Sequence, residues 1–116
     1  MAGSEKKFEL RKTDRKSKVT GEPLFQLVAL KDIPLYGVKK GDKLGFVAGE
    51  KNISLVSGDA LVSGNAEVFG NAEVSGNALV YGDALVYGDA RVFGNAEVFG
   101  NARVYGNALV YGNAIL

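Results

Sequence analysis

Apolar and polar positions along residues 57–116 follow a six-residue cycle, (Ser/Phe/Tyr)-Gly-(Asn/Asp)-Ala-x-Val, written ten times without an insertion. Within each cycle, Ala-x-Val-aromatic has the period of two that a strand requires. Ala and Val are expected to point inward, and x and the Ser, Phe or Tyr outward. Gly-Asn or Gly-Asp then breaks the strand. Gly accepts positive φ without steric cost, and Asn and Asp tolerate it better than other residues do. A turn every six residues leaves strands too short for hairpins. The pattern therefore predicts stacked identical units, a parallel β-helix, in place of a globular core with a pocket.

Residues 5–53 do not repeat. Phe8–Arg11, Leu24–Ala29 and Leu44–Val47 read as strands, and Thr20–Pro23 and Lys40–Lys43 as turns. Ser54-Leu55-Val56 is already in repeat phase, so the solenoid is expected to span 54–116. The end coil of a solenoid exposes unpaired backbone and apolar side chains, so the 5–53 region is expected to be a β-rich cap. Met1-Ala2-Gly3-Ser4, residues 1–4, has the look of a cloning remnant.

Val62-Ser63-Gly64-Asn65-Ala66-Glu67 and its successors resemble the hexapeptide repeat of left-handed β-helices, with an aliphatic residue at one position and a small residue four places on. The resemblance implies an all-β fold. It would be a left-handed parallel β-helix (a β-solenoid of three hexapeptides per 18-residue coil) behind a small N-terminal β cap. One departure is visible: the position after the aliphatic residue, often small in that family, is mostly Phe or Tyr. The inner columns would be Val62-Val80-Val98-Leu116, Val68-Val86-Val104 and Val56-Val74-Val92-Val110. The corners would stack as Asp59-Asn77-Asn95-Asn113, Asn65-Asp83-Asn101 and Asn71-Asp89-Asn107, so that no Asp lies on another and amide ladders can form.

The order of parts over residues 24–116 also resembles the phage and prophage hexapeptide-repeat proteins. The residues concerned are Val28–Asp32, Val38-Lys39-Lys40-Gly41-Asp42-Lys43-Leu44-Gly45-Phe46-Val47 with its turn, and Asn52-Ile53-Ser54, followed by the repeats. Leu44 stands where the first Gly of a pair would be. The cleanness of the repeats also fits a consensus or redesigned member of that family. The resemblance implies a phage and bacterial-cytoplasm setting.

Composition narrows the chemistry. The chain has no Cys and no His. Hexapeptide acyltransferases use a His base, and γ-type carbonic anhydrases hold zinc with His. No enzymatic activity, catalytic residue, cofactor or metal is therefore expected. Glu67, Glu73 and Glu97 fall on three different faces as outward, solubilising residues and form no paired-carboxylate site. Residues 1–56 carry twelve Lys or Arg against seven Asp or Glu, and residues 57–116 two against six. An acidic rod disfavours nucleic acid as a partner. No stretch has the length a membrane helix needs, and no signal peptide is evident, which predicts a cytoplasmic protein without a membrane partner.

What remains is apolar surface facing outward, which commonly marks an interface. The ladders Phe69-Tyr87-Tyr105, Ser63-Tyr81-Phe99 and Ser75-Phe93-Tyr111, flanked by Leu61, Leu79, Leu85, Leu109 and Ile115, are the candidate interface. A second is the last coil, ending at Ile115-Leu116 without a capping segment. The expected function is that of a non-enzymatic structural or interaction protein, a homo-oligomer (dimer or trimer) joined through the C-terminal coil, the aromatic faces or both. The alternatives are a small phage accessory protein that binds and inhibits a host defence protein, a sugar- or nucleotide-binding module, and a degenerate acyltransferase relative.

Overall fold

The computed structural model describes residues 7–17, 19–33, 37–53 and 60–116. Met1–Ser4, the Ser54 start of the solenoid, Val56 and Asp59 lie outside the described residues. Three longer strands come first: β1 (Phe8–Lys16), β2 (Pro23–Ala29) and β3 (Lys43–Val47). Two-residue strands follow, one in each of the first nine hexapeptides: β4 (Leu61–Val62), β5 (Glu67–Val68), β6 (Glu73–Val74), β7 (Leu79–Val80), β8 (Leu85–Val86), β9 (Arg91–Val92), β10 (Glu97–Val98), β11 (Arg103–Val104) and β12 (Leu109–Val110).

The short strands stack in parallel and make three faces of a β-solenoid. The first face holds β5-β8-β11, the second β6-β9-β12 and the third β4-β7-β10. Leu61 pairs with Leu79, and Leu79 with Glu97, so one coil is 18 residues, as the repeat predicts. Alternate N–H groups donate to carbonyls of the next coil, among them Glu67 N to Ala84 O at 3.0 Å and Phe69 N to Val86 O at 3.0 Å.

The solenoid corners are tight turns, most of them closed by a bond such as Ala66 N to Ser63 O at 3.3 Å. Gly occupies the second position with φ between 62° and 70°, as a type II′ turn requires. Asn and Asp do not share that role, since no described residue other than Gly has positive φ. Their side chains instead run along the axis. Asn65 Nδ2 donates to Asp83 Oδ1 at 3.4 Å, Asn71 to Asp89 at 3.2 Å, and Asn77 to Asn95 and Asn95 to Asn113 at 3.3 Å each.

Inside the coils, Val62, Val80 and Val98 stack on the third face and Val68, Val86 and Val104 on the first, with the Ala residues beside them. On the second face Ile53 lies beneath Val74. The repeat register slips here because the chain from Ile53 to Leu61 is three residues longer than that from Val74 to Leu79. β3 shows the same offset, with Phe46 beside Glu67 and Val47 beside Val68.

The N-terminal strands extend the first face into a six-stranded sheet, β1-β2-β3-β5-β8-β11. Phe8, Leu27, Ala29 and Val47 are buried in one core with the Val and Ala columns. Asn52, fully buried, binds the adjoining coil. Its Nδ2 donates to Gly70 O at 3.3 Å and Ala72 O at 2.7 Å, and its Oδ1 accepts from the Ala48 and Gly49 N–H groups at 2.9 Å. All four of its hydrogen-bonding positions are used, so its burial carries no desolvation penalty from an unmet group.

At the corners successive coils approach closely. A Cβ on Gly88 would lie 2.9 Å from Gly106 N, whereas one on Gly106 would meet nothing within 4 Å, and the two share nearly the same φ. Chemical denaturation should therefore show Gly106→Ala losing about 1 kcal/mol from the backbone conformation alone, and Gly88→Ala losing about 2 kcal/mol or more.

Candidate interaction surfaces

The outer surface of the first face is not open. β1 and β2 form a hairpin whose far end folds over it. Arg15 lays its guanidinium on the Phe46 ring, 4.0 Å from the centroid. Its Nε and Nη2 donate to Glu67 Oε2 at 3.1 and 2.9 Å, and Nη2 also donates to Asn65 O at 3.1 Å. From the returning side of the hairpin, Glu22 Oε1 accepts from Gly70 N–H at 3.1 Å. Leu24 packs into an apolar cluster with Phe46, Phe69 and Leu85, bordered by Ala48 and Tyr87.

Four expectations of outward-facing side chains are corrected here, at Glu67, Phe69, Leu85 and Leu61. Glu67 is not a solubilising surface residue: it is fully buried under Arg15. Phe69 is not an open interface residue: it is fully buried beneath the hairpin. The reason is the same for these two, since a segment about fifty residues earlier in the chain covers their face. Leu85 is buried in the same cluster. Leu61, also expected to face outward, is buried in the main core with Ile33 and Val38.

The other candidates divide by exposure. The ladders form as expected, with stacked rings 5.0 Å apart for Phe69–Tyr87, 5.3 Å for Tyr87–Tyr105, 5.2 Å for Tyr81–Phe99 and 5.4 Å for Phe93–Tyr111. Tyr81, Tyr87, Phe93 and Phe99 are half-buried. Tyr105 and Tyr111, on adjacent corners, are 58% and 59% exposed. Ile115 and Leu116 are exposed and pair with the third face, through a bridge from Ile115 to Glu97 and a bond from Leu116 N to Glu97 O at 2.9 Å. The candidates thus form one sealed patch at Phe69 and separate open ones along the three corners.

The third face also carries a clear titration shift. Burial, together with the neighbouring Glu97 carboxylate, raises the Tyr81 phenol above its ordinary value of 10.0. Its hydroxyl donates to Glu97 Oε1 at 3.4 Å. A shallow cleft of about 420 Å³ opens nearby, lined by Val38, Asp42, Leu61, Leu79 and Tyr81 among others. Asp42 is engaged there, accepting from Lys39 N–H at 2.9 Å. Among the described residues, no three His, Cys, Asp or Glu side chains lie close enough to hold a metal ion, and no helix is long and apolar enough to cross a membrane.

Arg15, Glu22, Leu24 and Phe46 were not singled out by the sequence, since none belongs to the repeat. Their pairing with Glu67 and Phe69 follows no period.

These features define the class of protein: a β-solenoid repeat protein with part of its outer surface occupied by its own chain. Residues 72–88, 96–111 and 102–116 match the family model described as the YdcK beta solenoid repeat. No curated protein sequence matches the chain.

The two arginine pairs of the hairpin differ in environment, and their loss should differ accordingly. Arg11 pairs with Glu9 in solvent, with side-chain exposures of 58% and 41%. Arg15→Ala strands the buried Glu67 and should lower unfolding free energy by about 3 kcal/mol. Arg11→Ala should change it by no more than about 0.5 kcal/mol in the same denaturation assay.

Proposed function

We propose that this chain is a non-enzymatic interaction protein, a rigid β-solenoid whose copies associate side by side through the open aromatic corners. The observation that carries this reading is the hairpin on the first face. The outer surface of the coil is there a working docking surface, holding a polypeptide through a carboxylate, a stacked aromatic column and a corner N–H. The Tyr87–Tyr105 and Phe93–Tyr111 columns present the same kind of rings, with Tyr105 and Tyr111 exposed. Stacking fixes each ring before any partner arrives, so little side-chain entropy is lost on contact. Aromatic residues in such a setting are the ones that contribute most at protein interfaces.

The absence of His and Cys supports a non-enzymatic role, because the proton-transferring base and the zinc ligands of the two enzyme classes that the repeat resembles are both missing. The carboxylates offer no substitute: Glu67 is committed to Arg15, and Glu73 and Glu97 stand on different faces.

Light scattering across a concentration series tests the reading. The parent chain should have a mass two or three times its 12.2 kDa. The Tyr105→Ser/Tyr111→Ser double variant should need at least about tenfold higher concentration to associate, the equivalent of 1.4 kcal/mol. A parent that is monomeric throughout, or an oligomer indifferent to the double substitution, would overturn it.

A further inference from the structure

The surface that binds the hairpin is written twice in this chain. Residues 65–70 and 95–100 are the same hexapeptide, Asn-Ala-Glu-Val-Phe-Gly, and no other repeat shares that sequence. The first copy lies on the first face under the hairpin. There its Asn65 O and Glu67 take Arg15, its Phe69 ring lies in the Leu24 cluster, and its Gly70 N–H takes the Glu22 carboxylate.

The second copy lies on the third face, in β10 and the corner after it, with the same backbone. Gly70 and Gly100 have φ of 65° and 62°. Both glutamates sit between apolar neighbours of the adjoining coils: Glu67 between Phe46 and Leu85, Glu97 between Leu79 and Ile115. Both phenylalanines stack on a tyrosine, Phe69 on Tyr87 and Phe99 on Tyr81.

Occupancy is what differs. Glu67 and Phe69 are fully buried, whereas Glu97 and Phe99 are half-buried. The Gly100 N–H has no acceptor among the described residues, where Gly70 has Glu22. Tyr81 contacts Glu97 only through a hydroxyl bond of 3.4 Å, longer than a strong O–H···O bond and readily exchanged for a guanidinium.

We propose that residues 95–100 form a second docking site, which takes an arginine-bearing extended segment of a partner protein in the way that residues 65–70 take the hairpin. The guanidinium pairs with Glu97 and the Asn95 carbonyl. An apolar side chain of the partner rests on Phe99 and Leu79, and a partner carboxylate accepts from Gly100 N–H. The charge of the site favours this occupant, since the solenoid half of the chain carries six acidic residues against two basic ones. The site is on a different corner from Tyr105 and Tyr111, so it stands or falls separately from association between copies.

The hairpin itself supplies the probe. A blocked synthetic peptide of residues 12–24, Lys12 to Leu24, is titrated into the ¹⁵N-labelled full chain, and amide shifts are followed. Saturable shifts at Asn95, Glu97, Phe99 and Gly100 are expected, with residues 65–70 unmoved. Affinity should fall at least about tenfold with Glu97→Gln or with an Arg15→Gln peptide, as loss of a charge-assisted pair implies. Glu73→Gln, a carboxylate on another face followed by Ser75 in place of Phe, should leave it unchanged. No shift at millimolar peptide, shifts confined to residues 65–70 through displacement of the resident hairpin, or binding indifferent to Glu97→Gln would each overturn the proposal.

Discussion

The ladder of hydrogen bonds from each coil to the next is the constraint on which the rest of this molecule depends. Leu61 N reaches Ala78 O, Glu67 N reaches Ala84 O and Glu73 N reaches Ala90 O, each seventeen residues on. Such a ladder holds only while every coil has the same length and turns at the same points. Gly at the solenoid corners follows from this, because the turn needs a positive φ and, from Gly64 to Gly94, the next coil leaves little room for a Cβ. Equal spacing also sets Val over Val and Ala over Ala, so a core of small residues can be dry and continuous. Among the described residues, nine strands of two residues each, none of which would be stable alone, are held by this repetition.

The same spacing has a consequence outside the coil. Side chains that point outward are placed in columns about one strand spacing apart, so the chemistry of a face is set by a handful of residues in a fixed grid. On the first face that grid reads Phe46, Glu67, Leu85, with Phe69 and Tyr87 beside it, and it binds the hairpin through a buried ion pair and an apolar cluster. Burying a glutamate is unfavourable unless it is paired and hydrogen-bonded. Arg15 meets that need with two bonds while resting on Phe46, which makes the hairpin's position specific as well as stable. The interaction role proposed above is an extension of something the chain already does to itself.

Much of the fold was legible because a period is a global statement made locally. Gly64-Asn65-Ala66 and its copies announce the corner, and the 18-residue register then places Val62, Val80 and Val98 on one another. The aromatic and amide ladders follow from the same register. What was not legible has no period. β1 runs on to Lys16 through Lys12-Thr13-Asp14-Arg15, a polar stretch with no alternation to mark it as a strand. Its contact with Glu67 spans fifty-two residues, and nothing in the sequence of either segment names the other. Ile53 beneath Val74 was missed for a related reason, because a pause of three residues before Leu61 breaks the count. At the candidate surface, the stacking of Tyr87 and Tyr105 could be read in advance, while the loss of Phe69 and Glu67 to the interior could not.

The central claim is that the hairpin lies on the outer surface of the first face, converting it from an open surface into a docked one. A nuclear Overhauser spectrum of the intact chain with labelled Leu methyl groups tests it directly. Strong cross-peaks from the Leu24 methyls to the Phe69 ring and to the Leu85 methyls are predicted, because the three side chains share one buried cluster. Leu24 methyls that show neither contact, with a Phe69 ring accessible to a soluble paramagnetic agent, would contradict it.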